Sequence, residues 1–146
     1  MKAIRRARSD DLDQICQIEQ AGDATWSKAA FSDEVDENPW FRVSKQNDRI
    51  VGFIIGRFDG FDAELLKVSV APTHRNQGVA KALLRELFML CKQKRAGRCY
   101  LEVNVFNKSA IALYQRAGFK QVGRRKAYYA SADKRADAVL MAKAFS

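Results

Sequence analysis

One short stretch of the chain joins residue types suited to holding an anion. Val68-Ser69-Val70-Ala71-Pro72 reads as the end of a strand, and Thr73-His74-Arg75-Asn76-Gln77 as a polar loop. Gly78-Val79-Ala80-Lys81 then opens an amphipathic helix. The first backbone N–H groups of a helix lack intrahelical partners. Together with the helix dipole they suit a phosphate or pyrophosphate. Gly78 lets a ligand approach the backbone, Ala80 keeps the first turn uncrowded, and Arg75 and Lys81 add positive charge. An ordinary helix start with a permissive glycine has the same pattern, so spacing alone leaves both readings open. The stretch is not a P-loop, which needs Gly-Lys-Ser/Thr, nor a dinucleotide fingerprint, which needs more glycines. A second candidate is Glu102. On a strand it shares a face with Tyr100 and Asn104, while Cys99, Leu101 and Val103 take the other. A carboxylate there serves as a general base, directly or through a water, or pairs with a nearby cation. His74 is the only histidine; in its polar loop it reads as solvated or structural, and no second ligand supports a metal.

The elements that must position these groups fit one domain over residues 1–146. With 47% hydrophobic and 29% charged residues the chain has a globular composition, which excludes disorder. No apolar run approaches the roughly 20 residues of a membrane span, and the start, Met1 to Arg6, lacks a signal-peptide apolar stretch. Cys16, Cys91 and Cys99 cannot all pair with one another and form no CxxC, which points to a reduced cytoplasmic setting without structural zinc. The net charge of +9 suits a polyanionic or phosphorylated partner.

Hydrophobic periodicity predicts a first strand over 2–7. A helix capped by Ser9 or Asp10 follows, with Leu12, Ile15, Cys16 and Glu19 on its stripe, and then a helix capped by Ser27. Strands follow over 40–45, 49–58 and 64–71, the first two joined by a turn at Gln46-Asn47-Asp48. A helix over 77–94 presents Ala80, Leu83, Leu84, Leu87 and Cys91 on one face. A strand over 98–103, a helix over 107–116 ended by Gly118, and two closing strands within 119–129 and 136–145 complete the chain. The result is a mixed α/β sheet with helices on both faces, containing one crossover between parallel neighbours.

Two motifs carry a family resemblance. Arg75-Asn76-Gln77-Gly78-Val79-Ala80 resembles the Arg/Gln-x-x-Gly-x-Gly/Ala motif of the GCN5-related N-acetyltransferase (GNAT) superfamily. Asn107 to Phe119 is similar to that family's Asn-x-x-Ala-x-x-x-Tyr-x-x-x-Gly-Phe segment, in the same order and spacing. Tyr100-Leu101-Glu102-Val103, Arg125-Lys126-Ala127-Tyr128-Tyr129 and Asp137 to Met141 resemble the RimI branch, as do Ile18-Glu19-Gln20 and Thr25-Trp26-Ser27. That branch usually has Pro-Trp-Ser at the last of these. Together the matches cover nearly the whole chain.

The resemblance implies a GNAT-like, mostly antiparallel central sheet flanked by helices on both faces, with a splayed parallel strand pair for acetyl-CoA. It implies acetyl-CoA as co-substrate, with no metal. The pyrophosphate falls to Arg75, Asn76, Gln77, Gly78, Val79, Ala80 and Lys81. The pantetheine arm falls to Asn107 and to the backbone of Val68, Ser69 and Val70, where an N–H near Val70 polarises the thioester carbonyl. RimI-type enzymes acetylate the N-terminal alanine of a small-subunit ribosomal protein, so the implied partner is a ribosomal protein N-terminus in the cytoplasm. Neither a membrane nor direct nucleic-acid binding is expected.

Such a transfer needs a neutral amine, a polarised thioester and a proton for the departing thiolate. The family match favours Glu102 as base. It assigns Tyr114 as the acid, a phenol of pKa about 10 beside a thiolate of about 8.5; without the match Tyr114 reads equally as a core aromatic among Ala110, Leu113 and Ala117. Trp26, Arg125, Tyr128 and Tyr129 are expected near the peptide, with ordinary packing as their alternative. Two competing functions remain: acetylation of a lysine or small amine, and a non-catalytic RNA-binding module. The second lacks an aromatic platform, a KH loop or a zinc knuckle.

Overall fold

The computed structural model describes residues 2–126 and 137–145. In chain order the elements are β1 (Lys2–Arg6), a 3-10 turn (Ser9–Asp11), α1 (Leu12–Gln20), α2 (Lys28–Glu37), β2 (Phe41–Gln46), β3 (Arg49–Phe58) and β4 (Ala63–Val70). A second 3-10 turn (Pro72–His74) leads to α3 (Val79–Gln93), β5 (Arg98–Asn104), α4 (Lys108–Arg116), β6 (Lys120–Arg125) and β7 (Ala138–Ala144). The strand order is β1-β2-β3-β4-β5-β7-β6. The pairs β1–β2, β2–β3, β5–β7 and β6–β7 are antiparallel, and β4–β5 is parallel. This is the expected mixed, mostly antiparallel sheet. Among the described residues no helix is long and apolar enough to cross a membrane.

The chain divides into two compact units, Met1–Arg57 with Leu65–Leu90, and Phe58–Glu64 with Cys91–Ser146. In the first, β2 and β3 register Phe41 with Ile55 and Val43 with Phe53. These side chains form one core with Ile15 and Ile18 of α1 and Phe31 and Val35 of α2. The opposite face of β3 meets α3. A Cβ at Gly52 would stand 2.9 Å from Val79 Cγ1 and 3.2 Å from Leu83 Cδ1, so the glycine lets α3 close onto the strand. Arg42, on the same face, reaches Glu86 of α3 at 3.2 Å. Helices therefore cover both faces of this part of the sheet, which is why β3 is buried without alternation from Ile50 to Gly56.

The hairpin turn forms at Asn47 and Asp48, with φ of 50° and 65°, the left-handed pair that a two-residue hairpin requires. Ser27 caps α2, its Oγ accepting from Ala30 N–H at 3.1 Å. The start of α1 differs from the expectation. Neither Ser9 nor Asp10 caps it; instead Asp11 accepts the Arg8 N–H at 2.8 Å and the Arg5 guanidinium at 2.7 and 2.9 Å. Ile18 joins the buried stripe, and Cys16 is only half-buried.

In the second unit β5 alternates as predicted, with Cys99, Leu101 and Val103 buried and Glu102 and Asn104 exposed. Leu101 pairs with Met141 and Val103 with Val139. The parallel β4–β5 ladder comprises Ala63↔Cys99 and Glu64↔Tyr100. Of the closing pair expected from the sequence, β6 ends at Arg125, and residues 127–136 lie outside the described residues.

Candidate active site

The candidate residues fall into two sets, one in each unit. The first set follows β4. Val68, Ser69 and Val70 are half-buried at the strand's end, and Ala71 N–H donates to Val51 O at 2.8 Å before Pro72 turns the chain. Arg75 folds back, its Nε donating to the Val70 carbonyl at 3.3 Å. Asn76 and Gly78 take φ of 61° and 82°. Nothing lies within 4 Å of where a Gly78 Cβ would stand. Glycine is thus demanded there by the left-handed backbone, which leaves open space beside the turn. The first intrahelical bond of α3 runs from Ala82 N–H to Gly78 O at 3.0 Å, so the N–H groups of Val79, Ala80 and Lys81 precede the helical ladder. Gly78 and Lys81 are exposed and Ala80 half-buried, but the Val79 side chain is buried against β3, which leaves only its backbone for a ligand. An exposed, cationic, left-handed turn ahead of a helix fits a pyrophosphate. His74 Nδ1 lies 2.8 Å from Thr73 Oγ1, which supports the structural reading of that residue.

The second set is built on β5 and α4. Asn107 caps α4, its Oδ1 accepting from Ala110 N–H at 3.2 Å and from Ser109 Oγ at 3.3 Å. Its amide nitrogen is the group left for an outside acceptor. Tyr114, half-buried on α4, meets Phe119 edge-on, with ring centroids 5.9 Å apart. Gly118, at φ 103°, turns the chain between them. Glu102 projects from the polar face of β5 with its side chain 40% exposed, and its Oε2 accepts from Arg125 Nη2 at 2.7 Å. Arg124 pairs with Asp137 at 2.8 Å. The sequence left open which cation, if any, met Glu102. The β5–β7–β6 ladder answers it by bringing Arg125 across β7. Arg125, expected at the peptide, is also the partner of the candidate base. Tyr128 and Tyr129 lie outside the described residues.

Trp26, in the loop between α1 and α2, stacks on Phe31 with centroids 5.3 Å apart and planes at 27°. Its backbone and that of Thr25 are held by Glu19, whose Oε2 accepts their N–H groups at 2.8 and 2.9 Å. Lys67 of β4 completes this node, 3.1 Å from Glu19 Oε1. Sequence reasoning assigned nothing to Lys67. The available signal was a lysine inside the apolar run Leu65-Leu66-Lys67-Val68, a charge that must find a buried partner. Among the described residues no group of three or more His, Cys, Asp or Glu side chains is placed to hold a metal ion.

Residues 2–119 match the acetyltransferase (GNAT) family. The chain is 32% identical over 143 residues to the ribosomal protein bS18-alanine N-acetyltransferase of Escherichia coli K12, covering 97% of each sequence. It is 34% identical over 135 residues to the N-alpha-acetyltransferase RimI of Mycobacterium tuberculosis, covering 87% of this chain and 82% of that one. The crystal structure of the ribosomal-protein-S18-alanine N-acetyltransferase from Escherichia coli superposes with a TM-score of 0.86 at 31% identity, over 100% of this chain and 95% of that one.

Proposed function

The chain belongs to the acetyltransferase (GNAT) family and is an acetyl-CoA-dependent N-acetyltransferase; on that premise we propose that it acetylates the N-terminal α-amine of alanine on a small-subunit ribosomal protein in the cytoplasm. Residues 1–146 act as one N-acetyltransferase domain in this reading. The observation that carries it is near full-length similarity to relatives named for this reaction, joined to an exposed carboxylate, Glu102, on the polar face of β5.

The roles follow from the chemistry. Acetyl-CoA supplies an activated thioester. Arg75 and Lys81, with the backbone of residues 76–80, bind its pyrophosphate. Val68, Ser69 and Val70 offer backbone groups to the pantetheine arm, and an N–H near Val70 donates to the thioester oxygen. Asn107 offers its amide N–H to the same arm. Glu102 takes the proton from the attacking amine, directly or through a water, and Tyr114 returns one to the thiolate. An α-amine, with pKa about 7.7–8.0, is deprotonated far more readily than a lysine at about 10.4, so one carboxylate suffices as base. Trp26, Arg125, Tyr128 and Tyr129 contact the peptide end, and the net charge of +9 steers a carboxylate-bearing peptide inward.

The test is a matched kinetic assay with tandem mass spectrometry to map the product. A hexapeptide beginning with alanine is acetylated on its α-amine. The same peptide, N-terminally blocked and carrying an internal lysine, is a poor substrate. Preference for the lysine, or for spermidine over both peptides, overturns the substrate reading and leaves acetyl transfer standing.

A further inference from the structure

We infer that Glu19 and Lys67 are positioning residues for the acceptor, a buried ion pair that sets the 21–27 loop on β4. The inference rests on the proposed amine acetylation.

Lys67 immediately precedes Val68, and its side chain is 8% exposed. Its ammonium lies 3.1 Å from Glu19 Oε1, 3.2 Å from Asp23 Oδ2 and 3.3 Å from Thr25 Oγ1. The Glu19 side chain is 1% exposed. Its Oε2 accepts the N–H groups of Thr25 and Trp26, with the Thr25 hydroxyl at 3.3 Å. Its backbone carbonyl accepts from Gly22 and Ala24 N–H at 3.0 and 2.9 Å. One residue thus fixes the backbone on both sides of Ala24, which takes a left-handed φ of 54°. Glu19 Oε1 has no aligned hydrogen-bond donor among the described residues, so the Lys67 charge is what compensates it.

Apolar side chains of similar volume often stabilise a fold as well as a buried ion pair does. What the pair adds is direction. Hydrogen bonds and charge contacts fix where the loop backbone lies, and Trp26, stacked on Phe31, goes with it. Lys67 stands in the strand segment that leads into Val68–Val70. The pair therefore holds the loop that carries Trp26 in register with the β4 backbone assigned to the thioester. The cluster carries two carboxylates against one ammonium, and Asp23 is 68% exposed, so the excess negative charge faces solvent, suiting a cationic acceptor.

The test uses the full chain with Lys67→Met, Lys67→Arg, Asp23→Asn and Thr25→Val. The readouts are KM and kcat for the alanine hexapeptide, acetyl-CoA Kd by calorimetry, and the thermal midpoint. Lys67→Met raises the peptide KM about tenfold or more while kcat and the acetyl-CoA Kd stay near wild type, the signature of lost acceptor binding. Lys67→Arg, which keeps the charge, recovers part of that loss. An unchanged peptide KM in folded Lys67→Met overturns the inference. So does a joint change in KM, kcat and acetyl-CoA Kd, which marks general loosening. If Lys67→Met does not fold, Asp23→Asn and Thr25→Val decide, since each removes one contact to the ammonium. A raised KM in either supports the inference, and wild-type KM in both overturns it. If the wild-type protein prefers a lysine or spermidine, the substrate reading fails separately, and KM for that acceptor in the same variants decides the role of the pair.

Discussion

Glu19 in the first unit and Glu102 in the second each pair with a cation, in opposite surroundings. Glu19 and Lys67 are 1% and 8% exposed, and the Glu19 oxygens are committed to the Thr25 and Trp26 backbone and to the Lys67 ammonium. Glu102 and Arg125 are 40% and 62% exposed, joined by one charge-assisted hydrogen bond. Breaking a buried pair strands a charge in a poor solvent. Opening an exposed pair costs little, because water replaces the partner. The first carboxylate can therefore hold backbone in place, but its burial beside the Lys67 ammonium shuts it away from a substrate proton. The second can release Arg125 and accept one. In the proposed roles burial, more than residue type, separates the carboxylate that positions, Glu19, from the one that reacts, Glu102.

Stability measurements can break or sharpen the contrast. Lys67→Met should lower unfolding free energy by about 3–5 kcal/mol, read from denaturant titration, because Glu19 is left charged and uncompensated. An intermediate case is Asp11, which is buried but fully engaged. Burial pushes its carboxyl up, while the Arg5 hydrogen bond, the Arg8 N–H and the charges of both arginines together bring it below the ordinary carboxylate range. The folded value thus lies below the unfolded one. The stabilisation is complete above the unfolded value and disappears as pH falls through the lowered folded value. The thermal midpoint of the wild type should fall over that acidic window, and Asp11→Asn should flatten the fall. An unchanged acid slope contradicts the assignment. Arg125→Ala should have the smallest effect, at most about 1 kcal/mol. A loss as large as that of Lys67→Met would erase the distinction between the two pairs.

What the sequence revealed follows the range of the forces involved. Local signals were legible: the Ser27 cap, the Asn47-Asp48 hairpin and the alternation of β5 each depend on a few neighbouring residues. The loop from Arg75 to Gly78 was legible as a motif, although the reason for Gly78 was only half legible. Open space was anticipated, and the left-handed φ came from the fold. The cap of α1 was missed because Asp11 turns back to Arg5 and Arg8, a choice that depends on where β1 lies. The partner of Glu102 needed a ladder in which β7 separates β5 from β6. The Glu19–Lys67 pair joins a helix end to a strand far along the chain; the apolar neighbours of Lys67 signal that it needs a buried partner, but not that the partner is Glu19. Gly52 likewise reads as a weak strand position until α3 is seen resting on it.

The proposed chemistry turns on Glu102, paired with Arg125, taking the proton of the attacking amine. Steady-state kinetics of Glu102→Gln on the alanine hexapeptide, followed across the pH range with acetyl-CoA binding measured alongside, tests this most directly. The substitution keeps shape and removes the proton acceptor, so kcat should fall by about 10²–10⁴ with cofactor affinity little changed. Wild-type turnover across the pH range would make Glu102 a structural residue and place the base elsewhere.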